Sequence, residues 1–370
     1  MFNKQDKRRN EYMLTGSFKR KGYDWWWHSF TAVDPDSNRT KPFYIEFFII
    51  NPKDGSKVVF GQTDEQNKPS YLMVNVGTWG VDHAQLHAFY PVNTAKIHKK
   101  KPIEIEVDGA YLSEYKTYGK VEISKDDALE KKRMTDFGTI EWDLEIDKKI
   151  AFNVGYGASG LFRSLKAFEM FWHAEGMKTL YNGYVIYNGK KYIVTPDTSY
   201  GYADKNWGRD FTSPWVWLSS CNLRSKITGK SLNNSVFDIG GGRPKIGPIA
   251  LSRKLLSAFF YEGTEYEFNF SKFWTNTKTK FSFTETDDEV FWHVEQKTWN
   301  NKMITDIKCK KRDMLFINYE APNGKKRHNR LFNGGNGTGI VKLYHKGKLV
   351  DEVECFNVGC EYGEYDKKEN

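Results

Sequence analysis

Hydrophobic positions along this chain recur mostly with a period of two, in many short runs. Examples are 23–33 (YDWWWHSFTAV), 43–50 (FYIEFFII), 102–107, 139–146, 184–195, 214–222, 264–270, 279–285, 289–297, 313–319 and 340–345. Each reads as a strand, because period two places alternate side chains on one face of a pleated backbone. Turn pairs separate many of them: Asp54–Gly55, Asn188–Gly189, Asn323–Gly324 and Lys346–Gly347. Asn188–Gly189, between YVIY and KKYIV, is a strong hairpin signal, since both residues tolerate positive φ. Helical patterning is sparse. Residues 159–169 (SGLFRSLKAFE) and 250–260 (ALSRKLLSAFF) are the two helix candidates, and neither is long enough to cover a sheet. No βαβ rhythm, GxGxxG or GxxxxGK[ST] is present, which argues against nucleotide-binding folds.

Antiparallel strands that avoid open edges close into barrels or sandwiches. The chain has 370 residues, too many for one ordinary core. The expected fold is therefore all-β, with two antiparallel barrel or sandwich domains and a few short helices. Residues 224–248 mix Ser, Asn, Gly, Lys and Pro, so the division is placed near 225, giving domains 1–225 and 226–370. A short echo, FWHAE at 171–175 and FWHVE at 291–295, is what two similar barrels would produce.

Composition sharpens this picture. Aromatic residues make up 16% of the chain, including 12 Trp, 21 Tyr and 26 Phe. Such rings favour strands and form rigid pocket walls, and each buried indole N–H needs a partner. The formal net charge is +9, with basic tracts in residues 1–22, at Lys96 and Lys99–Lys101, and at Lys325, Lys326, Arg327 and Arg330. No helix-turn-helix, zinc-finger or RNA-binding signature accompanies them, so no nucleic-acid partner is expected. Mean hydropathy is -0.68 and no run of 18 apolar residues occurs, so no stable membrane insertion is expected. Peripheral contact with lipid stays open, and the oligomeric state is undetermined.

The four cysteines, Cys221, Cys309, Cys355 and Cys360, lack metal spacing and suit a reducing cytoplasm. His83 and His87 lie in HAQLH, which lacks the glutamate of a zinc-protease helix. The expectation is a site with no metal and no cofactor.

The informative positions are polar groups on aromatic strands. In WWWHSF, Trp25, Trp27 and Ser29 share one face, while Trp26, His28 and Phe30 take the other. Glu46 shares a face with Tyr44 and Phe48. His173 lies with Glu169, Phe171 and Glu175, opposite Met170 and Trp172. A carboxyl or imidazole among such rings must be paired or shift its pKa, and a buried carboxyl tends to stay protonated, as a general acid requires. Residues 200–211 (YGYADKNWGRDF) concentrate Asp204, Lys205, Asn206, Arg209 and Asp210 between aromatics. The next strand, PWVWLSSCNL, presents Trp215, Trp217, Ser219 and Cys221 on one face. Together they suggest the mouth or floor of a pocket.

These residues carry a family resemblance. GYADKNWGRDFTSPWVWLSSCNL at 201–223, followed by GGG at 240–242, resembles the tocopherol cyclase and carotenoid 1,2-hydratase (hydroxyneurosporene synthase) superfamily. KGYDWWWHSFTAV near the start, residues 168–202 and FNVGCEYGEY at 356–365 extend the resemblance over nearly the whole chain. It implies two lipocalin-like domains around an apolar cavity. It also implies protonation of a C=C bond of an isoprenoid-like or polyketide-like molecule, with capture of the cation by water or a phenol oxygen. Carried onto this sequence, the acid is Asp204, aided by Tyr202, with His28 and His173 holding the acid or a water and Glu46 as the alternative acid. The cavity walls fall to Trp25, Trp26, Trp27, Trp172, Asn206, Trp207, Trp215 and Trp217. A non-catalytic binder would instead tie Asp204 to Lys205 or Arg209 beside an open pocket. A carbohydrate-active protein would use Asp204 with Asp210, or Glu169 with Glu175, across an open groove.

Overall fold

The computed structural model describes residues 10–53, 68–99, 103–130, 133–152, 169–243, 245–246, 249–250, 254–317, 319–324 and 330–364. Two large antiparallel sheets account for nearly all of it. The first contains β1 (Tyr23–Val33), β2 (Thr40–Ile50), β3 (Tyr71–Thr78), β4 (Ala84–Tyr90), β5 (Lys96–His98), β6 (Glu104–Val107), β7 (Ala110–Ser113), β8 (Lys116–Ile123), β9 (Gly138–Phe152), β10 (Met170–Tyr187), β11 (Lys190–Val194) and β12 (Gly201–Gly208). Its order is β4-β3-β2-β1-β11-β10-β9-β8-β7-β6-β5, with β12 between β1 and β10.

The second sheet contains β13 (Trp215–Ser220), β14 (Asn222–Ser225), β15 (Val236–Gly242), β18 (Lys254–Tyr261), β19 (Thr264–Phe268), β20 (Lys278–Glu285), β21 (Glu289–Lys297), β22 (Asn301–Lys310), β23 (Leu315–Phe316), β24 (Arg330–His345) and β25 (Lys348–Glu364). Its order is β19-β18-β15-β13-β25-β24-β22-β21-β20, and β14 and β23 pair beside it. A small ribbon joins β16 (Lys245–Ile246) to β17 (Ile249–Ala250). The only α-helix among the described residues is α1 (Lys125–Leu129), whose first turn Ser124 caps by accepting from Asp127 N–H at 3.1 Å. The chain leaves the first sheet at Gly208 and joins the second at Trp215, ahead of the position 225 read from composition.

Both sheets curve into barrel-like shells with their own interiors. Phe47, Trp142, Leu144 and Val185 fill the first, and Leu218, Phe259, Trp292 and Val341 fill the second. The free edge of β4 is taken up by Thr135 and Asp136, which bond the His87 and Gln85 backbone at 2.9 and 2.8 Å. A third core lies between the shells. Trp27, Tyr44, Phe48, Trp172 and Tyr202 meet Trp215, Trp217, Val236 and Tyr319 there. Strands β1, β2 and β3 are thus buried on both faces, whereas β6 and β8 alternate buried and exposed residues.

The Asn188–Gly189 hairpin forms as expected, with φ of 48° and 83°. The helix expected at 250–260 does not form. Its residues from Lys254 onward are β18, with Leu255 and Phe259 inside the second shell and Leu256 and Ala258 in the central core. A strand buried on both faces is continuously apolar, and periodicity alone does not separate it from a helix. The FWHAE and FWHVE echo is not an equivalence: His173 is fully buried, but His293 is on the surface, bonded to Asp306 at 2.6 Å. Residues 159–168 of the other helix candidate, the Asp54–Gly55 turn and Lys325–Arg327 lie outside the described residues.

Candidate functional site

Pleating decides which side chains enter the space between the shells. In β12, Tyr202, Asp204 and Asn206 face the second shell, while Ala203, Lys205 and Trp207 face the interior of the first. Register carries that face across the sheet: Asp204 stands opposite Trp27, Trp27 opposite Glu46, and Glu46 opposite Asn75. Asn206 stands opposite Trp25 and Trp172. The second sheet answers with Trp217 opposite Gly240 and Glu361, Ser219 opposite Asp238, and Asn333 opposite Glu361.

Between these faces lies a narrow cavity. Trp25, Trp27, Met170, Asp204 and Phe211 line one side, and Trp215, Trp217, Tyr319, Leu331 and Glu361 complete it. The space is tight: the centre of a water-sized sphere has only about 30 Å³ in which to move. Trp25 stacks on Tyr319 at 5.1 Å and Tyr202 leans on Trp217 at 4.9 Å.

Asp204 is held by two donors on one oxygen. Its Oδ2 accepts from Trp172 Nε1 at 2.8 Å and from Tyr202 Oη at 3.1 Å, while Oδ1 is buried without a hydrogen-bond partner. Tyr202 Oη also lies 3.4 Å from Asp238, which accepts from Trp217 Nε1 at 3.2 Å. Glu361 is held differently, with both oxygens engaged. Trp215 Nε1 donates to Oε2 at 2.9 Å and Asn333 Nδ2 donates to Oε1, and Asn333 in turn accepts from Trp79 Nε1 at 2.6 Å. Glu46 sits behind Tyr319, accepting from its hydroxyl at 3.2 Å and from Asn75 at 2.8 Å. Trp27 lines the cavity with a buried indole N–H that has no partner.

Among the described residues, no Lys, Arg or His lines this cavity. Burial therefore pushes every nearby carboxyl upward, because the charged form loses its hydration. Asp204 rises to about 8, against the pull of its Trp172 bond and with help from the charge of Glu361. Glu46 also rises to about 8 and Glu361 to about 7, both through burial first. Asp238 is raised well above the usual carboxylate range by burial and by Asp204.

The remaining expected site residues lie on the opposite face. Trp26, His28, His173 and Trp207 point into the first shell, so the two histidines do not reach Asp204 as expected. Odd and even positions of a strand cannot share a pocket. His28 Nδ1 meets Tyr181 Oη at 2.9 Å, and that hydroxyl donates to the Tyr202 carbonyl at 2.9 Å. His28 therefore donates through Nδ1 and is neutral, its pKa held well below the ordinary value by burial and the charge of Lys148. Lys205, expected as a rim partner of Asp204 in a binder, is fully buried. It pairs with Asp24 and lies 3.7 Å from the Trp26 ring centroid. Lys148 bridges Glu175 at 2.9 Å and Glu114 at 3.4 Å in the same interior. Arg209 is exposed.

Three site residues escaped the sequence reading: Asp238, Tyr319 and Glu361. Glu361 had a readable signal, a charged position on the same strand face as Gly359 and Gly363. Those glycines belong to the site. A Cβ on Gly359 would strike the Trp217 ring, and one on Gly240 would stand 2.9 Å from the Trp172 ring. Gly240→Ala is expected to lower stability by roughly 1–3 kcal/mol in urea unfolding, through overpacking. It should also displace Trp172 from Asp204.

Among the described residues, no group of three or more His, Cys, Asp or Glu side chains is arranged to hold a metal ion. A family model described as tocopherol cyclase-like matches residues 51–310. No curated protein matches the sequence. Among solved structures, the chain is similar to kievitone hydratase of Nectria haematococca, with 12% identity, a TM-score of 0.51, and coverage of 97% of this chain and 94% of that one. It is also similar to a protein named AttH from Nitrosomonas europaea, with 13% identity, a TM-score of 0.47 and 94% coverage of each. At such identities the first similarity is one of fold.

Proposed function

We propose, since this chain belongs to the tocopherol cyclase-like family, that it adds an O–H group across a carbon–carbon double bond of an apolar small molecule, with Asp204 as the acid. One observation carries this reading. Oδ2 of Asp204 takes both donors while the buried Oδ1 is left without a partner. A carboxyl so arranged keeps its proton on Oδ1, and burial keeps that proton in place at neutral pH.

The steps balance. Asp204 gives its proton to one alkene carbon, and the other carbon becomes cationic. The conjugate carboxylate keeps the Trp172 and Tyr202 hydrogen bonds, which strengthen as charge develops. Rings of Trp25, Trp27, Trp215, Trp217 and Tyr319 surround the cation, each worth up to about 2 kcal/mol when water is excluded. A water or substrate hydroxyl then forms the C–O bond, and its proton passes to Glu361. Glu361 suits that role because both its oxygens already accept N–H bonds, the pattern of an ionised carboxylate. Exchange with solvent returns a proton to Asp204 and removes one from Glu361. The unpartnered Trp27 N–H offers a donor to a substrate oxygen, and the narrow space favours a slender chain or flat ring.

The test is turnover of prenylated phenols and linear polyenes in D₂O. Each turnover should place one non-exchangeable deuterium on carbon. Tight retention of such a compound with no deuterium uptake would assign a carrier instead.

The activity should require Asp204 protonated and Glu361 ionised, giving a bell-shaped pH profile near neutrality whose limbs belong to the coupled pair. Stability follows with its own sign. The folded pKa values of Glu46, Asp204, Asp238 and Glu361 all lie above their unfolded values. The contribution of Glu361, Glu46 and Asp204 is fully present below about pH 4 and is lost as pH rises through about 7 for the first and about 8 for the other two. Against whatever other groups contribute, Asp204→Asn should flatten the fall in melting temperature between pH 5 and 8.5 seen by calorimetry.

A further inference from the structure

One end of the second shell, at the far end of β24 from Asn333, carries two exposed tryptophans. Trp274 is 63% and Trp299 72% exposed. The Trp299 indole N–H is satisfied by the Trp274 carbonyl at 3.1 Å, so the rest of that ring offers solvent only apolar surface. Beside it, Lys278 stands opposite Lys297, and Lys297 opposite Lys302, placing three lysines abreast on β20, β21 and β22. Directly opposed like charges destabilise a sheet. Glu295 offsets Lys302 at 3.2 Å, while Lys278 and Lys297 have no acidic partner among the described residues. Trp299, Lys278 and Lys297 line one surface groove, with Lys280 and Glu295. The next turn adds exposed Lys346, whose N–H bonds the Asn300 carbonyl at 2.6 Å.

We propose that this end of the second shell docks on an anionic lipid surface. Indole rings settle at the headgroup level of a bilayer, where an apolar body meets a polar boundary. Lysines around them are drawn to anionic headgroups, which relieve the repulsion within the row. The partner is chosen by this pairing of unmatched positive charge with exposed rings. A soluble polyanion would satisfy the charge but not the rings. No helix of the described residues is long and apolar enough to cross a membrane, so this contact uses strand ends and turns. The inference does not depend on the reaction proposed above.

Flotation of the full chain with vesicles tests it. Binding is expected to equimolar phosphatidylcholine and phosphatidylglycerol, weakening as salt rises, and not to phosphatidylcholine alone. Replacing Lys278 or Lys297 by Ala should weaken binding roughly fivefold each. The pair Trp274→Ala and Trp299→Ala should weaken it about tenfold. All four side chains are on the surface, so circular dichroism should show the fold retained. Equal binding to both vesicle types would overturn the proposal, as would indifference to the tryptophan pair. So would a dimer in sedimentation that Trp299→Ala converts to monomer, which would assign the patch to a second copy.

Discussion

Asp204→Asn will lower turnover by about 10²–10⁴-fold, the range lost when a positioned general acid is removed. The amide has the shape of the protonated carboxyl, and its oxygen can still accept from Trp172 and Tyr202. Melting temperature at pH 6 should therefore stay near that of the parent, and ligand binding should persist. The measurement is kcat and KM on whichever substrate incorporates deuterium, beside calorimetry of the same sample. Full turnover by the Asn variant would remove Asp204 from the acid role and turn attention to Glu46. That carboxyl has an equally raised pKa but lies behind Tyr319. Glu361→Gln should lower the rate on the plateau and abolish the acidic limb of the pH profile, which reports the ionisation of Glu361.

Changing the next residue in the chain should do the opposite. Lys205→Met will lower stability by about 3–5 kcal/mol, because it leaves Asp24 buried without its cation. Asp24→Asn should cost a similar amount by stranding Lys205. The double replacement should recover most of the loss, since a neutral pair of similar volume spares both charges their desolvation. Urea unfolding of the four proteins forms a double-mutant cycle with a large coupling energy. Activity per folded molecule should stay close to normal in all of them, because Lys205 and Asp24 face the interior of the first shell. Additive losses in the cycle would show that the pair is held by other contacts.

That contrast also explains what the sequence revealed. Alternation assigned Trp25 and Trp27 to one face and Trp26 and His28 to the other, and the structure keeps that division. It could not say which face meets a solvent-free interior, because both do. Runs such as FYIEFFII are aromatic throughout since β2 packs on two cores at once. The same double burial made the 250–260 strand resemble a helix. Asp204, Tyr202 and the tryptophans of β13 were legible because they cluster in one short stretch. Tyr319 was not, and Glu361 only through its glycine-flanked strand face, because both join that cluster only when the second sheet is laid across the first. His28 and His173 were drawn toward the acid by residue type, and strand parity separates them from it.

Asp204 and Glu361, the acid and base proposed above, are mounted on separate shells. Each shell has its own interior. The angle between the shells therefore works as a ruler, setting the span from Asp204 to Glu361 without repacking either barrel. A shift of about 1 Å in reacting groups can change a rate on the order of 100-fold. Substitutions at the seam, at Gly240, Gly359 or Trp79, should therefore alter the proposed chemistry while each shell keeps its own interior.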